Sequence, residues 1–151
     1  MTTPPQLATG HIGLNVSDLD RSVDFYRRAF GFERLAASTD EDRRWAFLGA
    51  NGKLVLTLWQ QSNGTFSTET PGLHHLSFQV DTVEQVRSIE ALLRELEVSF
   101  AHDGVVAHGE GVASGGIFFT DPDGIRLEVY APTGAESAPA PSAAAPTCGF
   151  F

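Results

Sequence analysis

The chain has 151 residues, 42% of them hydrophobic and 19% charged, a size and composition that support one domain with a substantial core. Its formal net charge is −9, and its 10 Lys and Arg residues are scattered along the sequence. That balance argues against nucleic acid or an anionic membrane as partner, because both require clustered cations. Cys148 is the single cysteine, so neither a disulfide framework nor a cysteine zinc site can form within the chain. No apolar run reaches bilayer length. The opening MTTPPQLATG lacks the basic and apolar stretches of a secretory signal, so a cytoplasmic location is expected.

Residues 1–8 read as a flexible lead. A strand is expected over His11–Val16, where His11, Gly13 and Asn15 share one face and Ile12, Leu14 and Val16 the other. SDLDRSVDFYRRAFG then reads as a helix with Ser17 able to cap it, a stripe of Leu19, Val23, Tyr26 and Phe30, and Gly31 to close it. Three strand-like runs follow, FERLAAS, RWAFLG and KLVLTLWQ, the last two joined by Asn51-Gly52, a strong hairpin signal.

The same programme then repeats. HLSFQV from His75 matches HIGLNV from His11, with His75, Ser77 and Gln79 on one face. Thr82 and Gln85 form a possible capping box ahead of a stripe of Val86, Ile89, Leu93 and Leu96. Strand-like VSFAH, GIFFTD and IRLEVY come next, the last two linked by the turn Asp121-Pro122-Asp123-Gly124. The expected fold is therefore α+β: two tandem βαβββ modules, about 9–62 and about 72–132, within a globular unit of 9–132. Residues 133–151 are an Ala/Pro tail whose composition does not by itself offset the entropy of ordering it. Each module presents a curved mixed sheet with a helix on its outer face, so the two concave faces together would form a trough of the kind that holds ligands.

Aligning the copies pairs LVLTLW with IRLEVY, placing Thr57 where Glu128 stands. Leu127 and Val129 are expected to face the helix, which turns Glu128, Arg126 and Tyr130 into the trough. A carboxylate there needs partners. His11 and His75 are the candidates on spacing.

Three segments, HIGLNVSDLDRSVDFYRRAFGFE, HHLSFQVDTVEQV and FFTDPDGIRLEVYAP, resemble the vicinal oxygen chelate superfamily, which includes glyoxalase I, extradiol dioxygenases, fosfomycin-resistance enzymes, epimerases and bleomycin-binding proteins. The resemblance covers residues 9–132. It implies a glyoxalase-like pair of sheets and a metal-binding trough in which His11, His75 and Glu128 hold one divalent ion, Fe, Mn, Zn, Ni or Co. Two imidazoles and one carboxylate leave coordination positions for water, substrate or dioxygen. The family's frequent second glutamate is Thr57 here, which weakens the glyoxalase I and epimerase readings. The acidic tyrosine of extradiol enzymes is Phe118, which cannot donate a proton.

His74 is expected to point away from His75, toward the helix layer. His102, His108 and Glu110 lie in a glycine-rich loop, from which His108 is a candidate base or substrate contact. Glu128 doubles as a candidate base. Asn15, Thr57, Trp59, Gln79, Phe118, Arg126 and Tyr130 are candidate substrate contacts, with Trp45 and Phe47 as further aromatic lining. The leading reading is a metal-dependent enzyme on a small oxygen-chelating metabolite, dioxygenase-like or glyoxalase/isomerase-like. The alternative is a non-catalytic protein that binds a drug or metabolite. A homodimer is expected, with modules paired within or swapped between chains.

Overall fold

The computed structural model describes residues 1–149. The chain divides into two compact units, one of Met1–Arg27 and Gly31–Asn63, the other of Arg28–Phe30 and Gly64 onward. The first contains β1 (Ile12–Val16), α1 (Leu19–Phe30, whose last turn falls to the second unit), β2 (Glu33–Ala37), β3 (Trp45–Ala50) and β4 (Lys53–Gln60). The second contains β5 (Leu76–Gln79), α2 (Val83–Glu95), β6 (Val106–Ala107), β7 (Gly115–Thr120) and β8 (Arg126–Ala131). Each unit is thus strand, helix and three strands, in an α+β arrangement.

Both sheets have four strands with the same connectivity, β1-β4-β3-β2 and β5-β8-β7-β6. In each, the first strand lies parallel beside the last, which is antiparallel to its own predecessor. The register repeats as well: Gly13 stands opposite Thr57, and Ser77 opposite Glu128. Thr57 and Glu128 therefore occupy equivalent places in the two sheets.

Local chemistry explains the boundaries. Asp18 caps α1, its carboxylate accepting from the Arg21 amide at 3.0 Å. Ser17, the expected cap, instead accepts from the Arg21 guanidinium at 3.0 Å. A short acidic side chain one residue nearer the helix satisfies the orphan amide better. Thr82 and Gln85 form the reciprocal capping box on α2. Asn51 and Gly52 both take positive φ, 52° and 73°, as a two-residue hairpin demands. Asp121 accepts from the amides of Asp123 and Ile125, both at 2.9 Å, closing the β7–β8 turn from within.

One expected strand is different. VSFAH contributes only an isolated bridge, Phe100 to Phe119, and the fourth strand of the second sheet is β6, two residues long. The apolar residues on the face of the sheets opposite Thr57 and Glu128, among them Leu14, Val16, Leu56, Leu58, Leu127 and Val129, are essentially inaccessible. Removing them from water is the main favourable term in folding. Replacing Thr82 by Ala leaves the Gln85 amide without its acceptor and should lower stability by about 1 kcal/mol. Denaturant unfolding should show a reduced midpoint at unchanged slope.

Candidate functional site

The second unit gathers a buried carboxylate and two imidazoles. Glu128 lies mid-strand in β8 with 3% of its surface exposed. Isolated, such a charge would be costly, and both oxygens are held. The Ser77 hydroxyl on neighbouring β5 donates to Glu128 Oε1 at 2.7 Å. His108 Nε2 sits 2.5 Å from Oε2. His108 is fixed from its other side, where Nδ1 meets Ser114 Oγ at 2.8 Å. The result is a chain of groups, Ser114, His108, Glu128 and Ser77, running across the sheet.

His75, just before β5, brings Nε2 to 3.8 Å from Glu128 Oε1, beyond hydrogen-bond range. Its Nδ1 is 2.8 Å from Nδ1 of His74. His74 is exposed and belongs to this network, not to the helix layer where the alternation of a strand would put it. The chain has not yet entered β5 at this point, so strict alternation does not apply. Burial pulls the His75 imidazolium below the ordinary histidine range; the Glu128 carboxylate opposes this, while His74, Arg126 and His108 reinforce it. A neutral imidazole anchored at one nitrogen presents the other as a donor atom.

The surrounding candidates fall into two groups. Phe118 faces Glu128 across β7–β8 and is fully buried, its ring 6.2 Å from His108 and 5.7 Å from His102. His102 Nε2 is buried without a hydrogen-bond partner among the described residues. Tyr130 lies 5.2 Å from the His108 ring, and its hydroxyl donates to Gln79 Oε1 at 2.9 Å. Arg126 is close enough to repel a proton from His75. Glu110 lies exposed at the loop tip.

In the first unit the equivalent positions carry no acid. Thr57 is buried and accepts from Trp59 Nε1 at 2.9 Å, while Asn15 accepts from the Gln61 amide at 3.0 Å. Trp45, Phe47 and Trp59 form an aromatic cluster with centroids 4.7 to 6.2 Å apart. His11 is exposed, immediately before β1. Among the described residues, no three His, Cys, Asp or Glu side chains converge as a ready metal site. The chemistry of the set nevertheless fits a divalent ion: His75 and Glu128 offer neighbouring donor atoms, while His108 engages the opposite oxygen.

In the sequence Ser77 shares the expected face of His75 with nothing to mark it as a ligand of the acid, and Ser114 carries no signal of its own. Both hydroxyls follow from pairing: Ser77 opposes Glu128, and the Ser114 carbonyl accepts from the His108 amide at 3.0 Å.

Burial makes His75 bind a proton less readily in the folded chain than in the unfolded one. Its contribution to stability is therefore present above the ordinary value of 6.5 and is lost as pH falls through it toward the lowered folded value. Denaturation across this window should show a shallower decline for His75→Gln than for the unaltered chain. Equal slopes would exclude His75 as the titrating group.

Comparison with known proteins places these features. The family model "Glyoxalase/Bleomycin resistance protein/Dioxygenase superfamily" matches residues 8–129. The catechol-2,3-dioxygenase of Bacillus subtilis (strain 168) is 30% identical over 125 residues, 81% of this chain, although the chain spans only 40% of that enzyme's length. A probable trivalent organoarsenical cleaving enzyme of the same organism is 30% identical over 120 residues, covering 80% of this chain and 77% of the relative. Among solved structures, a glyoxylase/bleomycin resistance protein/dioxygenase domain from Frankia sp. EAN1pec superposes with a TM-score of 0.73 at 25% identity, covering 84% of this chain and 98% of that one. The repeated βαβββ unit, its register and the family match over residues 8–129 establish that the chain belongs to the glyoxalase/bleomycin resistance protein/dioxygenase superfamily, the vicinal oxygen chelate proteins.

Proposed function

We propose that the protein is a metal-dependent enzyme acting on a small metabolite that chelates through adjacent oxygens. His75 and Glu128 would hold one divalent ion with His11 as third protein ligand. The observation that carries this reading is the division of labour on Glu128. One oxygen lies beside His75 Nε2, while the other is engaged by His108.

Bound there, the ion would supply Lewis acidity toward a carbonyl or enol oxygen, or a site for oxygen chemistry if it is iron. The chain's own groups have separate tasks. Ser77 and His108 fix the carboxylate plane, and Ser114 fixes the His108 ring. His108 is the residue we assign to holding or passing a proton at Nε2, since Phe118 has no acidic hydrogen to give. Arg126, Gln79 and Tyr130, with Asn15, Thr57 and Trp59 from the first unit, are assigned to substrate; Phe118 excludes water beside His108. Among relatives, the catechol dioxygenase and the organoarsenical cleaving enzyme support testing diol-like and arsenical substrates first.

A second reading has an observation of its own. The Trp45, Phe47 and Trp59 cluster is half-exposed and suits stacking of a planar ligand, as in a non-catalytic drug- or metabolite-binding protein. Metal content separates the two. Protein purified without chelator should carry close to one equivalent of Fe, Mn, Zn, Ni or Co by elemental analysis, lost in His75→Ala and in Glu128→Ala. Failure to retain any of these metals after add-back would overturn the enzyme reading.

The source of His11 is tested by mixing chains. A homodimer is proposed, and co-refolded His11→Ala and Glu128→Ala chains should regain one metal per hybrid dimer if His11 is donated by the second copy. They should regain none if each chain is self-contained.

A further inference from the structure

The Ala/Pro segment after β8 is ordered in the structure, and its bonds converge on one place. The Ala135 amide donates to the Ala113 carbonyl at 2.9 Å, and the Ala107 amide donates to the Pro139 carbonyl at 2.9 Å. Farther on, the Thr147 amide donates to the His108 carbonyl at 3.0 Å, and the Thr147 hydroxyl donates to the Ala107 carbonyl at 2.6 Å. These partners flank the loop that carries His108 and Ser114 on both of its arms.

The loop is otherwise held by its own bonds, His108 amide to Ser114 carbonyl and Val112 amide to Gly109 carbonyl, and by the His108 side chain on Ser114 and Glu128. β6 contains two residues, and its outward backbone groups would face water as a short, fraying edge. Pro139 and Thr147 take up the outward N–H and C=O of Ala107. Thr147 is 2% exposed and Ala135 1%. Ala135 fits because Gly115 has no side chain: a Cβ there would lie 2.7 Å from Ala135 Cβ. Prolines at 132, 139, 141 and 146 narrow the unfolded ensemble of the segment, so less entropy is lost in ordering it.

We infer that residues 133–149 form a strap that positions His108 against Glu128, with Thr147 as its anchoring, positioning residue. The inference rests on the assignment of Glu128 and His108 to the functional site. The strap also sets Cys148 near Glu128, close enough for the carboxylate, after burial, to push its thiol up. As the single cysteine in the chain, Cys148 reports specifically on whether the strap is seated.

The test uses the full, metal-free chain, so it stands apart from whether an ion binds. Thr147→Val keeps the shape and removes the hydroxyl donor; Thr147→Ser restores it. Labelling of Cys148 by a disulfide reagent should be about tenfold faster in Thr147→Val, the scale of one lost buried hydrogen bond, and near the original rate in Thr147→Ser. Ring-nitrogen NMR of labelled histidine should show His108 losing its single hydrogen-bonded form in Thr147→Val and regaining it in Thr147→Ser. Faster labelling with an unchanged His108 signature would mean that the segment packs without positioning, and would overturn the inference. Unchanged labelling would overturn it too, since the hydroxyl would then anchor nothing. Amide exchange in the unaltered chain supplies a check independent of any variant. The Thr147 and Ala135 amides should be protected together with that of His108, and free-peptide rates at the first two beside a protected His108 would equally defeat the proposal.

Discussion

A carboxylate in the middle of a buried strand can persist only if the strands beside it bring donors to both of its oxygens. In this chain that requirement falls on Glu128, and much of the second unit answers it. Parallel pairing of β5 with β8 sets Ser77 opposite the acid on one side. The β6–β7 hairpin delivers His108 from the other, and the same hairpin supplies Ser114 to hold the imidazole. Phe118, inaccessible to solvent, packs its ring 6.2 Å from that of His108, and burial of the carboxylate strengthens the bonds it accepts.

The duplicated architecture shows what is structural and what is chemical in this arrangement. Both units use the same sheet order and the same register, yet at the position of Glu128 the first has Thr57, satisfied by its neighbour Trp59. Gly13 stands where Ser77 does, and Asn15 and Trp59 where Gln79 and Tyr130 do. The scaffold therefore tolerates either a charged, hydroxyl-rich centre or a neutral, aromatic one. The two units differ chemically at a handful of positions on a shared fold.

Much of this could be read from sequence because the signals were local. The alternation around His11 and His75, the Asn51-Gly52 hairpin, the Thr82 box and the Asp121 turn each depend on residues within a few positions of one another. The equivalence of Thr57 and Glu128 followed from repetition alone. What stayed hidden was carried by long-range pairing. A serine hydroxyl has no periodic signature, so Ser77 and Ser114 emerge only when strands are placed side by side. β6 is too short to show alternation. His74 met His75 because a pre-strand residue escapes the strand's rule. The Ala/Pro segment has the composition of disorder, and its order comes from backbone groups offered by another element, which composition cannot express.

In each sheet the strand synthesised last lies inside: β4 between β1 and β3, and β8 between β5 and β7. A nascent second unit therefore has its outer strand and helix in hand well before the strand that carries the acid. Until β8 docks against β5, the Glu128 carboxylate remains hydrated, and its desolvation is deferred to the closing of the longest loop in the unit. Glu128 lies on the strand of its sheet that is synthesised last. Enclosure of Glu128 thus depends on a pairing between strands far apart in sequence, whereas the helices are closed by local contacts.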